Sequence, residues 1–254
     1  MALIFDSHAH YDDAAFDEDR NELLSSFPQN GVEGVINCGA DEMGSRKSID
    51  LAERFPHVWA AVGIHPEAAA TATPETIAAC EAMASHQKVV AIGEIGLDYY
   101  WEDACPREQQ KPVFEAQLEV AKRLDMPVIV HDRDAHEDVM QFLRHHRPRG
   151  VVHCFSGSVE MAREVVKLGM YIGIGGVVTF KNARKLVEVT ADIPLDRLLL
   201  ETDAPYMAPV PYRGKRCDST LIAHTAARIA EIRGITVEEI YRQNRENIKA
   251  LFGI

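Results

Sequence analysis

The chain has 254 residues, of which 46% are hydrophobic and 26% charged; that balance excludes a disordered or membrane-embedded protein and leaves room for one large core. The formal net charge of −12 at pH 7 weighs against a broad electrostatic grip on nucleic acid, so an anionic substrate would have to be met by local cations or by a metal. Cys38, Cys80, Cys105, Cys154 and Cys217 are odd in number and lack Cys-x-x-Cys spacing, which argues against a disulfide framework or structural zinc cluster and for a reducing cytoplasm.

No basic segment followed by a long apolar one opens the chain, so neither a signal peptide nor a membrane span is expected, and no obligate protein partner is indicated. Apolar runs of strand length fall at residues 3–5, 34–38, 58–62, 89–92, 128–130, 151–152, 171–174 and 198–200. Helical patterns follow each, at 16–27, 45–55, 74–85, 109–124, 136–147, 159–168 and 183–190, with a final pair at 221–233 and 237–252. Thr73 ahead of Pro74, and Thr236 three residues before Glu239, read as helix starts, while Gly150 and Gly169 stand where helices stop. Near-continuous apolar strands between helices predict a parallel sheet. Eight units of about thirty residues predict an α/β fold, a (β/α)8 or TIM barrel, as one domain over residues 1–254; an open doubly wound sheet is the lesser alternative.

In such a barrel the reacting groups come from the C-terminal ends of the strands. The first strand runs into Asp6-Ser7-His8-Ala9-His10, the third into Gly63-Ile64-His65-Pro66, the fourth into Gly93-Glu94, the fifth and sixth into His131 and His153, and the eighth into Glu201-Thr202-Asp203. On an extended strand Asp6, His8 and His10 share one side. His8, His10, Glu94, His131, His153 and Asp203 are therefore a set of six nitrogen and oxygen ligands. Buried without a partner, such groups are costly, and a divalent metal supplies the partner. Six ligands exceed one tetrahedral site and suit two ions about 3.5–4 Å apart, with Glu94 as the bridging carboxylate. Two such ions would polarise a phosphoryl or carbonyl oxygen, acidify a water and stabilise the leaving oxygen.

Asp203 and Glu94 are the catalytic candidates, Asp203 as the group that takes the proton of that water, as a ligand, or as both. Asp6 and Glu201 are candidates to orient an imidazole from behind. Imidazole with carboxylate accommodates zinc or manganese, and magnesium where water completes the shell. For substrate contact the candidates are His65, Tyr99 in the aromatic run Asp98-Tyr99-Tyr100-Trp101, Arg133, and Arg213, Lys215 and Arg216 after the eighth strand. Aromatic rings there would stack a base or sugar, and the cations would bind phosphate. Each also has a plain structural reading: a His-Pro turn, an apolar lid, a local ion pair with Asp132 or Asp134, and a solvated basic turn.

The six strand-end segments, extended to Gly93-Glu94-Ile95-Gly96-Leu97-Asp98-Tyr99, His131-Asp132-Arg133-Asp134-Ala135, His153-Cys154-Phe155-Ser156-Gly157 and Glu201-Thr202-Asp203-Ala204-Pro205-Tyr206, resemble the signature segments of the TatD family of metal-dependent deoxyribonucleases. The resemblance runs from residue 6 to the closing Asn247-Ile248-Lys249-Ala250-Leu251-Phe252. It implies a TIM-barrel metallohydrolase of the amidohydrolase type, with divalent ions and DNase activity. By that resemblance His8, His10, Glu94 and Asp203 would hold one ion, and Glu94, His131 and His153 a second. Where the family often continues Asn-Glu-Pro after Arg213-Gly214-Lys215-Arg216, this chain has Cys217-Asp218-Ser219. The expected activity is exonuclease-like hydrolysis of DNA phosphodiesters. The alternatives are a hydrolase of a small phosphoester, amide or lactone on the same site, and a metal-binding or interaction protein on a retired barrel.

Overall fold

In the computed structural model, which describes residues 3–101 and 105–254, eight parallel strands pair in chain order. They are β1 (Ile4–Ala9), β2 (Val32–Cys38), β3 (Val58–Val62), β4 (Val89–Asp98), β5 (Val128–Arg133), β6 (Gly150–Val152), β7 (Tyr171–Ile174) and β8 (Leu198–Leu200). The ring closes just beyond β1 and β8. There Ala9 bridges Ala204, the Asp203 N–H donates to the His8 carbonyl at 3.0 Å and the His10 N–H to the Ala204 carbonyl at 2.7 Å. The fold is the expected (β/α)8 barrel.

Helices α1 (Arg20–Ser26), α2 (Glu42–Arg54), α3 (Pro74–Met83), α4 (Arg107–Leu124), α5 (His136–His146), α6 (Val159–Lys167), α7 (Arg184–Asp192), α8 (Ile222–Arg233) and α9 (Val237–Phe252) alternate with the strands or close the chain. Thr73 and Thr236 cap α3 and α9 with reciprocal side-chain bonds. α2 starts three residues earlier than its apolar pattern predicts, because the Asp41 carboxylate accepts the Gly44 N–H at 2.7 Å and caps it. α5 stops at a left-handed Arg147 rather than at Gly150, which instead opens β6.

Residues of one parity from every strand, among them Phe5, Ile36, Ala61, Ala91, Ile129, Val151, Tyr171 and Leu199, pack together inside the barrel with Ile248, Leu251 and Phe252 of α9. The other parity packs outward against the helices. Three strands outrun their apolar sequence runs, β5 by the polar His131-Asp132-Arg133. β1 continues through Ala9 with all six residues buried, and β4 through Asp98 with all ten buried. Beyond Ile92 the register of β4 shifts, then resumes against β5 with Gly96 opposite His131 and Asp98 opposite Arg133. Polar residues stay in these strands because their partners lie inside the barrel mouth, so burial there does not require apolar side chains.

Candidate metal centre

At that mouth the six predicted ligands converge on one carboxylate. Glu94 Oε2 lies 3.3 Å from both His8 Nε2 and His10 Nε2. Glu94 Oε1 lies 2.7 Å from His153 Nε2 and 2.8 Å from His131 Nδ1. Asp203 Oδ1 stands 3.6 and 3.5 Å from the same His8 and His10 nitrogens. The two Glu94 oxygens thus face different rings, Oε2 toward His8 and His10 and Oε1 toward His131 and His153.

The far side of two rings shows which nitrogen is left to face the centre. His10 Nδ1 lies 2.8 Å from the Cys38 carbonyl, which only accepts, so Nδ1 is an N–H and Nε2 is the nitrogen left for a shared proton or a metal ion. That nitrogen faces His8 Nε2 at 3.0 Å. His131 Nε2 lies 2.9 Å from Asp98 Oδ2, which leaves Nδ1 against Glu94 Oε1 and 3.3 Å from His153 Nε2. Nitrogens and carboxylate oxygens this close share protons or a cation, and imidazole with carboxylate is a donor set for divalent metal. The residues fit the group. His8, Glu94 and His153 meet the distance requirement for one ion, as do His8, His10 and Asp203.

Distance alone would admit His65, Glu94 and His131 as a third such group. However, His65 Nδ1 accepts the Glu67 N–H at 3.2 Å, which leaves its Nε2 as an N–H aimed at Glu94 Oε1, 3.4 Å away. His65 is therefore placed as a donor beside the centre rather than as a ligand.

The electrostatics are those of a crowded buried cluster. Burial, with His153 alongside, pushes His8 down to about 4. Burial also opposes charge on His10, but the Asp203 and Glu94 carboxylates hold it well above the usual imidazole value. Glu94 keeps its charge in spite of burial because His153, His65 and His8 surround it, and its carboxyl sits well below the usual range.

A family model described as TatD related DNase matches residues 5–253. The chain belongs to the TatD family. The metal-dependent hydrolase YabD of Bacillus subtilis is 42% identical over 99% of this chain and 100% of its own. The 3′-5′ ssDNA/RNA exonuclease TatD of Citrobacter koseri is 36% identical, over 99% of each. Among solved structures, the TatD homolog YJJV of Escherichia coli superposes with a TM-score of 0.93 at 34% identity, over 100% of this chain and 99% of that one. The chain is a metal-dependent hydrolase acting on ester bonds.

This TatD site also depends on residues that motif reading does not single out. Asp98 anchors His131, as above, and Gln110 of α4 clamps Asp98 in turn, accepting its N–H at 2.8 Å and donating to its carbonyl at 2.7 Å. Two helical turns on, Gln117 clamps Ile64 beside His65 in the same way, at 2.7 and 3.0 Å. An i, i+7 pair of glutamines on a helix otherwise rich in polar residues was the available signal.

Other predicted residues occupy different roles. Asp6 touches no imidazole ring: it accepts bonds from the His8 N–H, the Thr202 N–H and hydroxyl, and the Ser219 hydroxyl, and so ties β1 to the segment after β8. Ser219 belongs to the Cys217-Asp218-Ser219 departure from the family pattern, which points inward beneath the site. Glu201 acts on a histidine indirectly. Its carboxylate, pushed up to about 8 by burial, accepts the N–H of Cys154 at 2.5 Å, a residue held at φ 44° next to His153. Gly173 leaves the space for it, since a Cβ there would lie 2.3 Å from Glu201 Oε2.

Tyr99 is buried, with its hydroxyl donating to Asp138 at 2.6 Å and Arg107 over its ring; the exposed rings of that run are Tyr100 and Trp101. Arg216 is committed to Asp19, at 2.5 and 2.8 Å, and to the Ala15 carbonyl, so it pins its loop and presents no free cation. Arg213 is exposed, stacked on Phe180, and Lys215 is exposed beside it. Among the described residues Arg133 makes no ion pair, and its guanidinium lies over the Tyr100 ring. Among the described residues no helix is long and apolar enough to cross a membrane.

Proposed function

We propose that the chain hydrolyses phosphodiester bonds of nucleic acid from an exposed end, with two divalent ions held by one protein domain. The observation that carries this reading is the division of labour on Glu94, one oxygen toward His8 and His10 and the other toward His131 and His153. Ions held by His8, His10 and Asp203 on one side and by His131 and His153 on the other, with Glu94 shared, would supply Lewis acidity and an acidified water. Asp203 is the ligand-side carboxylate with most access to solvent, 17% exposed against 3% for Glu94, and it accepts the proton of the attacking water. His65 donates its Nε2–H toward the centre. Arg133, Arg213 and Lys215 neutralise the phosphate backbone of a strand entering an otherwise acidic protein. The Citrobacter koseri relative, a 3′-5′ ssDNA/RNA exonuclease, supports the same substrate class.

Asp203→Asn and Glu94→Gln should each cost at least about a hundredfold in turnover of a labelled oligonucleotide while the thermal melt is kept. Metal analysis of the wild type should return two ions per chain. Full activity in both variants, or a single tightly bound ion at full activity, would overturn the mechanism. The net charge of −12 favours a second reading, hydrolysis of a small phosphoester, amide or lactone. Salt separates the two, because binding of a strand through phosphates weakens steeply as salt is added and binding of a small neutral substrate does not.

A further inference from the structure

Tyr100 and Trp101 follow β4 directly and are 51% and 52% exposed, whereas neighbouring Tyr99 is 8% exposed. Large aromatic surface held in water needs a reason. The segment that carries these rings is also held in place. The backbone N–H groups of Tyr100 and Trp101 donate to Asp98 Oδ1, at 2.9 and 3.3 Å, and the other oxygen of that carboxylate is the one bonded to His131. One side chain therefore fixes both the exposed pair and an imidazole of the metal centre. The Arg133 guanidinium carbon lies 4.2 Å from the centre of the Tyr100 ring, and Trp101 meets that ring edge-on, with centroids 4.9 Å apart and planes at 89°. Arg133 itself stands two residues after His131 on β5.

We propose that Tyr100, backed by Arg133 and edged by Trp101, is a stacking platform that receives one unpaired base of the substrate strand next to the scissile phosphate. The inference rests on the nuclease reading above and deepens it. An aromatic ring offers a face that any base can stack on, with no demand on its hydrogen-bonding edge or on the sugar. The guanidinium on the same ring adds a cation for the adjoining phosphate. A base inside a duplex already has both faces covered, so the platform selects single strands and frayed ends, of DNA and RNA alike.

The test compares a short single-stranded oligonucleotide with the same strand carrying an abasic tetrahydrofuran nucleotide at the cleaved end. For the wild type, removing the base should raise KM by about tenfold, the size of one base–aromatic stack. In Tyr100→Ala that difference should disappear, and Tyr100→Phe should restore it. Binding gives an independent readout. The chain has two tryptophans, Trp59 and Trp101, so the intact strand should quench fluorescence that Trp101→Phe abolishes, and the abasic strand should not. Equal losses on both strands in Tyr100→Ala would mean that the pair acts only through Asp98 and would overturn the platform, as would no change on either. A wild type that cleaves neither strand while hydrolysing bis(4-nitrophenyl) phosphate would instead overturn the nuclease reading beneath it.

Discussion

At the scale of single residues, the candidate ligands His8, His10, Glu94, His131, His153 and Asp203 were legible because each follows an apolar strand and each has metal-binding chemistry. Their supports were legible only in part: Asp6 and Glu201 stood out as groups that could orient an imidazole, and Asp98 did not. Asp98 lies four residues beyond Glu94 in what reads as a loop, yet it carries the second hydrogen bond of His131 at 2.9 Å. Asp98→Asn should weaken metal affinity by about 10- to 100-fold, measured by competition with a chelating dye, with the melting temperature little changed. Full affinity in this variant would remove Asp98 from the centre. Glu201 makes a prediction of opposite character. Its folded pKa of about 8 lies above its ordinary 4.5, so the stability tied to its protonated form is complete below pH 4.5 and is lost as pH rises through about 8. Metal-free wild type should therefore lose melting temperature over roughly pH 5 to 8, and Glu201→Gln should lose about 5 °C less over the same range. Parallel pH profiles for the two proteins would refute this.

At the scale of elements, the alternation of strands and helices follows from apolar periodicity, and most boundaries agree within a few residues. The strand disagreements share a cause. β1 and β4 extend into polar sequence because their last residues pair inside the barrel mouth, where Glu94, Asp98 and the histidines satisfy one another. A local reading sees polarity and ends the strand; the folded chain sees a buried polar network and continues it. Gly96 permits this continuation: its φ is +148° and a Cβ there would fall 2.0 Å from the His131 carbonyl oxygen. Gly173 on β7 makes the comparable allowance for Glu201. Gly173→Ala should displace that carboxylate, release the Cys154 N–H and disturb His153, lowering stability by about 1–3 kcal/mol and turnover with it. A melt and rate matching wild type would show that Glu201 can move without consequence.

At the scale of the whole molecule, the barrel brings residues from positions 8 to 203 around one carboxylate and crowds their nitrogens and oxygens into one buried site. A bound divalent cation would be a partner to several of them at once, so metal should act on stability as well as on rate. Stripping the protein with a chelator should lower its melting temperature, and zinc or manganese at a hundredfold excess over the dissociation constant should restore about 2.7 kcal/mol. An unchanged melt in both steps would mean that the cluster is satisfied by protons alone. The acidic charge bears on the same scale: at −12, the proposed binding of a nucleic acid strand would depend on local cations such as Arg133, Arg213 and Lys215 and not on the overall field.

The sequence by itself determined the barrel, the family and the six candidate ligands that converge, because strand periodicity and the side chains that follow each strand are local properties. Only the tertiary structure decided how those side chains are held. Asp98 behind His131, Glu201 behind Cys154, Asp6 on Thr202 and Ser219, Arg216 on Asp19, and Tyr100 exposed where Tyr99 is buried all depend on contacts between distant segments. A residue's type and its neighbours in the chain are the same whether its partner is a metal, a helix or water. Which of these it meets is fixed only when the strands close into a ring.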